Sequence, residues 1–168
     1  ALVVMETRST DVATGEPLFD TMMSAFIRGE GDFGGDRGPS GPQNVPPDRA
    51  PDHSVTYRTR PDQALLYRLS GDRNPLHSDP QFAALAGFDR PILHGLCTFG
   101  FTGRALLHTL CASDPSRFTA MDGRFSSPVF PGEALTVNMW VDGGGAVFQT
   151  TGDDGRVVLD AGKCEFTT

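Results

Sequence analysis

The 168-residue sequence contains no apolar run near the ~20 residues that a membrane-spanning helix needs. Positive charge is scarce. Lys and Arg number 14 against 21 Asp and Glu, a formal net charge of −7. That balance argues against non-specific nucleic-acid binding, which requires a basic face. Cysteine is scarce too. Cys97, Cys111 and Cys164 are scattered and form no CxxC pair, so neither a disulfide framework nor a structural zinc site is expected. They read as three buried thiols in a reducing compartment. No Gly-rich phosphate loop of the P-loop or dinucleotide type occurs. The opening Ala1-Leu2-Val3-Val4-Met5 is interrupted by Glu6 and is too short for a secretory signal, so the expected location is cytoplasmic.

What is present suffices for a folded domain. Hydrophobic residues make up 38% and charged residues 21%, which supports a real core. The length suits one domain, or one plus a fragment. The 12 Phe read as core rather than as a stacking platform.

Gly and Pro are abundant but unevenly spread. Between Gly29 and Pro51 they supply 11 of 23 residues, which no helix tolerates. Residues 29–52 are therefore expected to be a linker or an extended, surface-hugging segment. The linker separates a head, residues 1–28, from a body, residues 53–168. In the head, Leu2–Thr7 and Leu18–Ile27 are strand-like runs around the turn cluster Asp11–Glu16. Two strands alone are marginal in water, so the head is expected to pair with something else.

In the body, a strand over Ser54–Thr59 leads to a short helix over Pro61–Ser70, stopped by Gly71. Ser78-Asp79-Pro80-Gln81 opens another helix running to about Leu85. A longer helix is expected from about His94 to Cys111, with Leu96, Phe99, Gly103, Leu106, Leu107 and Leu110 on one face. Strands then follow over Phe118–Val129, Ala134–Val141, Ala146–Thr151 and Arg156–Phe166. The turns at Pro131-Gly132, Gly143–Gly145 and Asp153–Gly155 predict antiparallel hairpins. The class is α+β, with the long helix lying against a curved antiparallel sheet.

Two polar clusters stand out. Asp72 and His77, five apart in a Pro-containing loop, can turn into one cavity and suit acid–base work, since imidazole titrates near neutrality. Ordinary turn chemistry would also favour Asp, Asn and Gly there. The second cluster is Pro91-Ile92-Leu93-His94-Gly95-Leu96-Cys97-Thr98. If a helix starts here, its first N–H groups lack acceptors, and Gly95 lets a ligand oxygen approach closely. Gly95 also fits plain helix–sheet packing. Weaker candidates are a metal site of His77, Asp79 and His94, and a Cys97 nucleophile paired with His94. His53 and His108 read as a linker residue and a helix-surface residue.

Over residues 67–80, Tyr-Arg-Leu-Ser-Gly-Asp-Arg-Asn-Pro-Leu-His-Ser-Asp-Pro closely resembles the signature of the MaoC-like, (R)-specific enoyl-CoA hydratases, or hydratase 2. Ala86-Gly87-Phe88 and Pro91–Thr98 continue the match in register, as do Arg124-Phe125, Pro128-Val129 and Pro131-Gly132-Glu133. The likeness covers most of residues 54–168. It implies a hot-dog fold, an antiparallel sheet wrapped around a central helix. It also implies reversible syn hydration of a trans-2-enoyl thioester to a (3R)-3-hydroxyacyl thioester. The family's catalytic Asp, Asn and His fall on Asp72, Asn74 and His77, and its oxyanion-hole amide on Gly95. The thioester of coenzyme A, or of acyl carrier protein, is substrate; no metal or redox cofactor is implied, because neither electrons nor hydride move. Larger members resembling this sequence are double hot-dogs. Residues 1–28 then resemble the last hairpin of an incomplete first half, and a homo-oligomer or pairing with that half is expected. Two other functions remain open on this scaffold: a thioesterase, or a non-catalytic acyl-thioester-binding subunit.

Overall fold

The structure, a computed structural model, describes residues 1–35 and 43–167. Residues 36–42, part of the expected linker, lie outside the described residues. The chain divides into two units, Ala1–Gly41 and Pro42–Thr168. Among the described residues, no helix is long and apolar enough to cross a membrane.

The first unit is a hairpin. Strand β1, Leu2–Thr10, pairs antiparallel with β2, Pro17–Phe26. Asp11 closes the turn by accepting from the N–H groups of Ala13 and Thr14, the local side-chain bonding that favours Asp in turns. β1 runs past its expected end at Thr7, β2 is displaced by one residue with its length unchanged, and nearly every residue is exposed.

The second unit is a five-stranded antiparallel sheet around one long helix. Its strands are β3 (His53–Arg58), β4 (Phe118–Phe125), β5 (Ala134–Asp142), β6 (Gly145–Thr151) and β7 (Val157–Phe166). They lie in the order β3-β5-β6-β7-β4. The helices are α1 (Gln63–Tyr67), α2 (Pro80–Leu85) and α3 (Gly95–Leu110). Alternation on β5 sends Leu135, Val137 and Met139 inward, fully buried. Val137 and Met139 meet Phe148 of β6 and Ala105 and Leu106 of α3 in a core that also holds Leu159 and Cys164. Burying a side chain such as Phe148 or Leu106 contributes about 1.5–3 kcal/mol each. This is the hot-dog arrangement.

Three expectations need correction. The buried face of α3 is Cys97, Thr98, Thr102, Ala105 and Leu106, not one centred on the large apolar residues. Leu96 is 62% exposed. Small residues bring the helix backbone close to the sheet, where Thr102 and Thr150 share a buried hydrogen bond of 2.9 Å. Strand β4 stops at Phe125 rather than Val129, since Pro128 and Pro131 cannot donate to a ladder. His53 is the first residue of β3, paired with Met139, and not part of the linker.

Residues 43–52 hug the sheet. The Asn44 side chain donates to the Ala161 carbonyl at 2.9 Å. Trp140 Nε1–H donates to the Arg49 carbonyl at 2.9 Å, so Trp140 is buried although it faces away from the helix. A second buried cluster, Ala64, Leu93, Cys97, Val129, Leu135 and Val158, fixes the start of α3 against the sheet. Cleft and loops are built around that point.

Candidate active site

The loop between α1 and α2 is shaped by its own side chains. Helix α1 tightens into a 3₁₀ turn over Arg68–Ser70, and the chain leaves it through Gly71 at φ +120°, a conformation other residues rarely adopt. Asp72 Oδ1 accepts from the Asn74 N–H at 3.1 Å. Asn74 Oδ1 accepts in turn from the Leu76 N–H at 3.0 Å and caps a 3₁₀ turn over Pro75–His77. Asp79 then caps α2, accepting from Gln81 and Phe82 at 2.8 and 3.2 Å. Asp72, Asn74 and Asp79, taken alone, each have a turn-forming or capping role.

The end of the loop is tied to the segment before α3. Ile92 N–H donates to the Leu76 carbonyl at 3.4 Å, and the Ile92 carbonyl lies 2.8 Å from His77 Nδ1. A carbonyl only accepts, so Nδ1 carries the proton and His77 Nε2 keeps its lone pair. Leu93 N–H donates to the Val129 carbonyl at 2.7 Å, seating this segment on the sheet.

His94 follows, 1% exposed. Its Nε2–H donates to the Asp72 backbone carbonyl at 3.1 Å, and its ring stacks on that of His77 with centroids 3.8 Å apart. Tyr67 covers it from another side at 4.7 Å. Burial, foremost, holds the His94 imidazole below its ordinary pKa, which favours its neutral form. The sequence offered His94 only as a weaker candidate, a metal ligand or the partner of Cys97, and Tyr67 only as part of the family match. A histidine immediately before a helix, flanked by apolar residues, was the available signal.

Gly95 is the first residue of α3, so its N–H has no acceptor within the helix and sits at the positive end of the helix dipole. It lines a cleft of about 300 Å³ with His77, Thr98, Phe125, Ser126 and Pro128. A Cβ at residue 95 would lie 3.3 Å from the Phe125 ring. Close approach therefore accounts for the glycine, and Phe125 is a wall residue that the sequence did not reveal.

The candidates thus sort as follows. His77 and Gly95 share one cleft. Asp72 stands beside them, with one ligand atom each of Asp72, His77 and His94 within 4.8 Å of one another. Asn74 holds the loop. A metal site fits poorly. Rings stacked at an interplanar angle of 27° aim their in-plane lone pairs along near-parallel planes, not at one ion, and the Asp79 carboxylate is engaged as a helix cap. The Cys97 thiol is buried and pushed up to about 11, unsuited to act as a nucleophile near neutrality. His108 lies on the exposed side of α3, 2.6 Å from Ser113 Oγ.

A family model, the MaoC like domain, matches residues 43–161. The chain belongs to the MaoC-like family. Among its curated relatives, 3-hydroxyacyl-thioester dehydratase Y of Mycobacterium tuberculosis is 50% identical over 99% of this chain and 60% of that protein. Enoyl-CoA hydratase ChsH3 of the same organism is 54% identical over 85% of this chain and 49% of that protein. The crystal structure of a MaoC-like dehydratase from Phytophthora capsici superposes with a TM-score of 0.93 at 39% identity, covering 99% of this chain and 57% of that one. The chain spans about half to three-fifths of the length of these relatives.

In this MaoC-like chain, one imidazole presents a bare lone pair. A carboxylate stands within reach of it, and Gly95, whose N–H has no acceptor within its helix, lines the same cleft. That set can move a proton and steady an oxyanion. It offers no thiolate or hydroxyl nucleophile paired with a base.

Proposed function

We propose that the chain catalyses reversible hydration of trans-2-enoyl thioesters to (3R)-3-hydroxyacyl thioesters, through Asp72, His77 and Gly95. The observation that carries this is the tautomer of His77. With Nδ1–H committed to the Ile92 carbonyl, Nε2 is free as a proton acceptor in the cleft that also holds the Gly95 amide. The names of the hydratase and dehydratase relatives support the same chemistry.

In the forward direction a water is held between the Asp72 carboxylate and His77 Nε2. One of the pair takes a proton as the oxygen bonds to C3. The C2=C3 electrons shift toward the thioester, and charge gathers on its oxygen opposite the Gly95 N–H. The enolate then collapses as the pair returns a proton to C2. Positioned proton transfer contributes about 10²–10⁴-fold. Loss of one oxyanion donor costs about 3–4 kcal/mol in well-studied cases. Asn74 acts by holding the loop that carries Asp72. The acyl carrier is coenzyme A or acyl carrier protein.

The test is hydration of crotonyl-CoA, followed as loss of the enoyl-thioester absorbance, with chiral analysis of the product. Formation of the 3R alcohol is expected. Release of free thiol would establish a thioesterase instead. Thermal stabilisation by acyl-CoA without turnover would establish a binding subunit.

A further inference from the structure

Resting on the hydration reading of the site, we propose that His94 is a positioning residue that holds Asp72, His77 and the Gly95 amide in one register. Three contacts converge on it. Its Nε2–H holds the Asp72 backbone carbonyl at 3.1 Å. Its ring face sets the plane of the His77 ring at 3.8 Å, while Ile92, two residues earlier, sets the rotation of that ring through Nδ1. Its own carbonyl accepts from the Cys97 and Thr98 N–H groups, so it begins α3, and the Gly95 amide is one peptide bond away. Two elements far apart in sequence are therefore joined through a single side chain. Without it, the exposed Asp72 carbonyl is left to a loop tied to the rest of the fold at its far end, by Leu76 and His77 to Ile92.

Packing alone does not account for a histidine here. The side chain is 1% exposed, yet its Nδ1 is buried without a hydrogen-bond partner. An unpartnered buried polar atom is a cost that a phenylalanine of similar size would avoid. What histidine adds is the Nε2 donor, and that donor points at the residue carrying the carboxylate. A neutral imidazole also places no second positive charge against His77 when that ring takes up a proton.

The variants His94→Phe and His94→Gln separate the roles. Phenylalanine keeps a flat ring and loses the donor; glutamine loses the ring and keeps an N–H that reaches the Asp72 carbonyl. For crotonyl-CoA hydration, His94→Phe should lower kcat by up to about 100-fold with little change in KM, since misplacement of reacting groups by about 1 Å costs that much. His94→Gln should recover most of it. A second readout needs no substrate. Amide hydrogen exchange at Asn74 and Leu76 should quicken in His94→Phe and stay near wild type in His94→Gln, with the sheet amides of β5 unchanged in both. In the wild-type chain, nitrogen NMR at neutral pH should show His94 as the Nε2–H tautomer. An Nδ1–H tautomer, unchanged exchange in His94→Phe, or an equal loss of kcat in both variants would overturn the proposal. A wild-type chain without hydratase turnover would overturn the proposed reaction, while exchange and tautomer would still decide whether His94 holds the loop.

Discussion

The two segments that meet at the site are held in opposite ways. Asp72, Arg73, Asn74 and Pro75 are exposed, and their order comes from short-range bonds between side chain and backbone. Leu93, His94, Cys97 and Thr98 are buried, and their order comes from the sheet and the core. The exposed segment carries the carboxylate; the buried one carries the amide. His77 belongs to the first by sequence and to the second by its bond to Ile92. A substitution in the loop should therefore change the reaction without changing stability, and one in the buried segment should change stability first.

The largest effect should come from the loop. Asp72→Asn keeps an oxygen for the Asn74 N–H but removes the charge, and His77→Gln removes the free ring nitrogen. Each should lower kcat for enoyl-CoA hydration by about 10²–10⁴-fold. Because Asp72 is exposed, its variant should stay within about 0.5 kcal/mol of wild type in urea unfolding. Near-wild-type rates for both would remove the catalytic role of the pair. Next comes the buried side. Leu93→Ala hollows the cluster of Cys97, Val129, Leu135 and Val158 and should cost about 2–5 kcal/mol of stability. The comparison breaks if Leu93→Ala is neutral in unfolding or if Asp72→Asn destabilises as much.

The same contrast governs what could be read from residues alone. Turn chemistry is local, so the loop at 71–77, the glycine-rich hairpin turns and the start of α2 were legible in the order of Gly, Pro, Asp and Asn. Helix α3 was legible within a residue at either end, between His94 and Cys111. Its buried face was not. Periodicity weights large apolar residues, but the sheet selected Cys97, Thr98, Thr102 and Ala105, which allow close approach, and left Leu96 exposed. Asp72, His77 and Gly95 stood out because their residue types carry chemistry in sequence. His94 stood out only as a weaker metal-ligand or base candidate and Phe125 only within the family match, because their part in the site exists only once residues 72, 94 and 125 are brought together by the fold.

A smaller effect tests that meeting point. In Gly95→Ala the amide remains, but the new methyl presses the Phe125 ring from 3.3 Å. Phe125 is 51% exposed and can yield, so the fold should survive while the ring shifts into the cleft. A loss of about tenfold in kcat/KM is expected, within the range that small misplacements cause. Adding Phe125→Ala should restore part of it, a coupling that a double-mutant cycle measures. Additive losses would mean that the ring and residue 95 act separately.

The smallest expected effect is a pH dependence on the buried side. Burial, first of all, lowers the His94 pKa from 6.5; His77 and Arg68 push the same way, while the Asp72 carbonyl and carboxylate oppose. The unfolded chain takes up this proton near pH 6.5, but the folded chain only at lower pH. Below pH ~6.5 the unfolded state therefore binds more protons, so stability is full above that value and declines as pH falls toward the folded pKa. His94→Gln removes that one titrating group and leaves the rest of the chain unchanged. Urea unfolding from about pH 7.5 to 5.5 should show a shallower decline for His94→Gln than for wild type. Identical slopes would mean that His94 gains no protection from burial, and that the stacked pair is open to water on both faces.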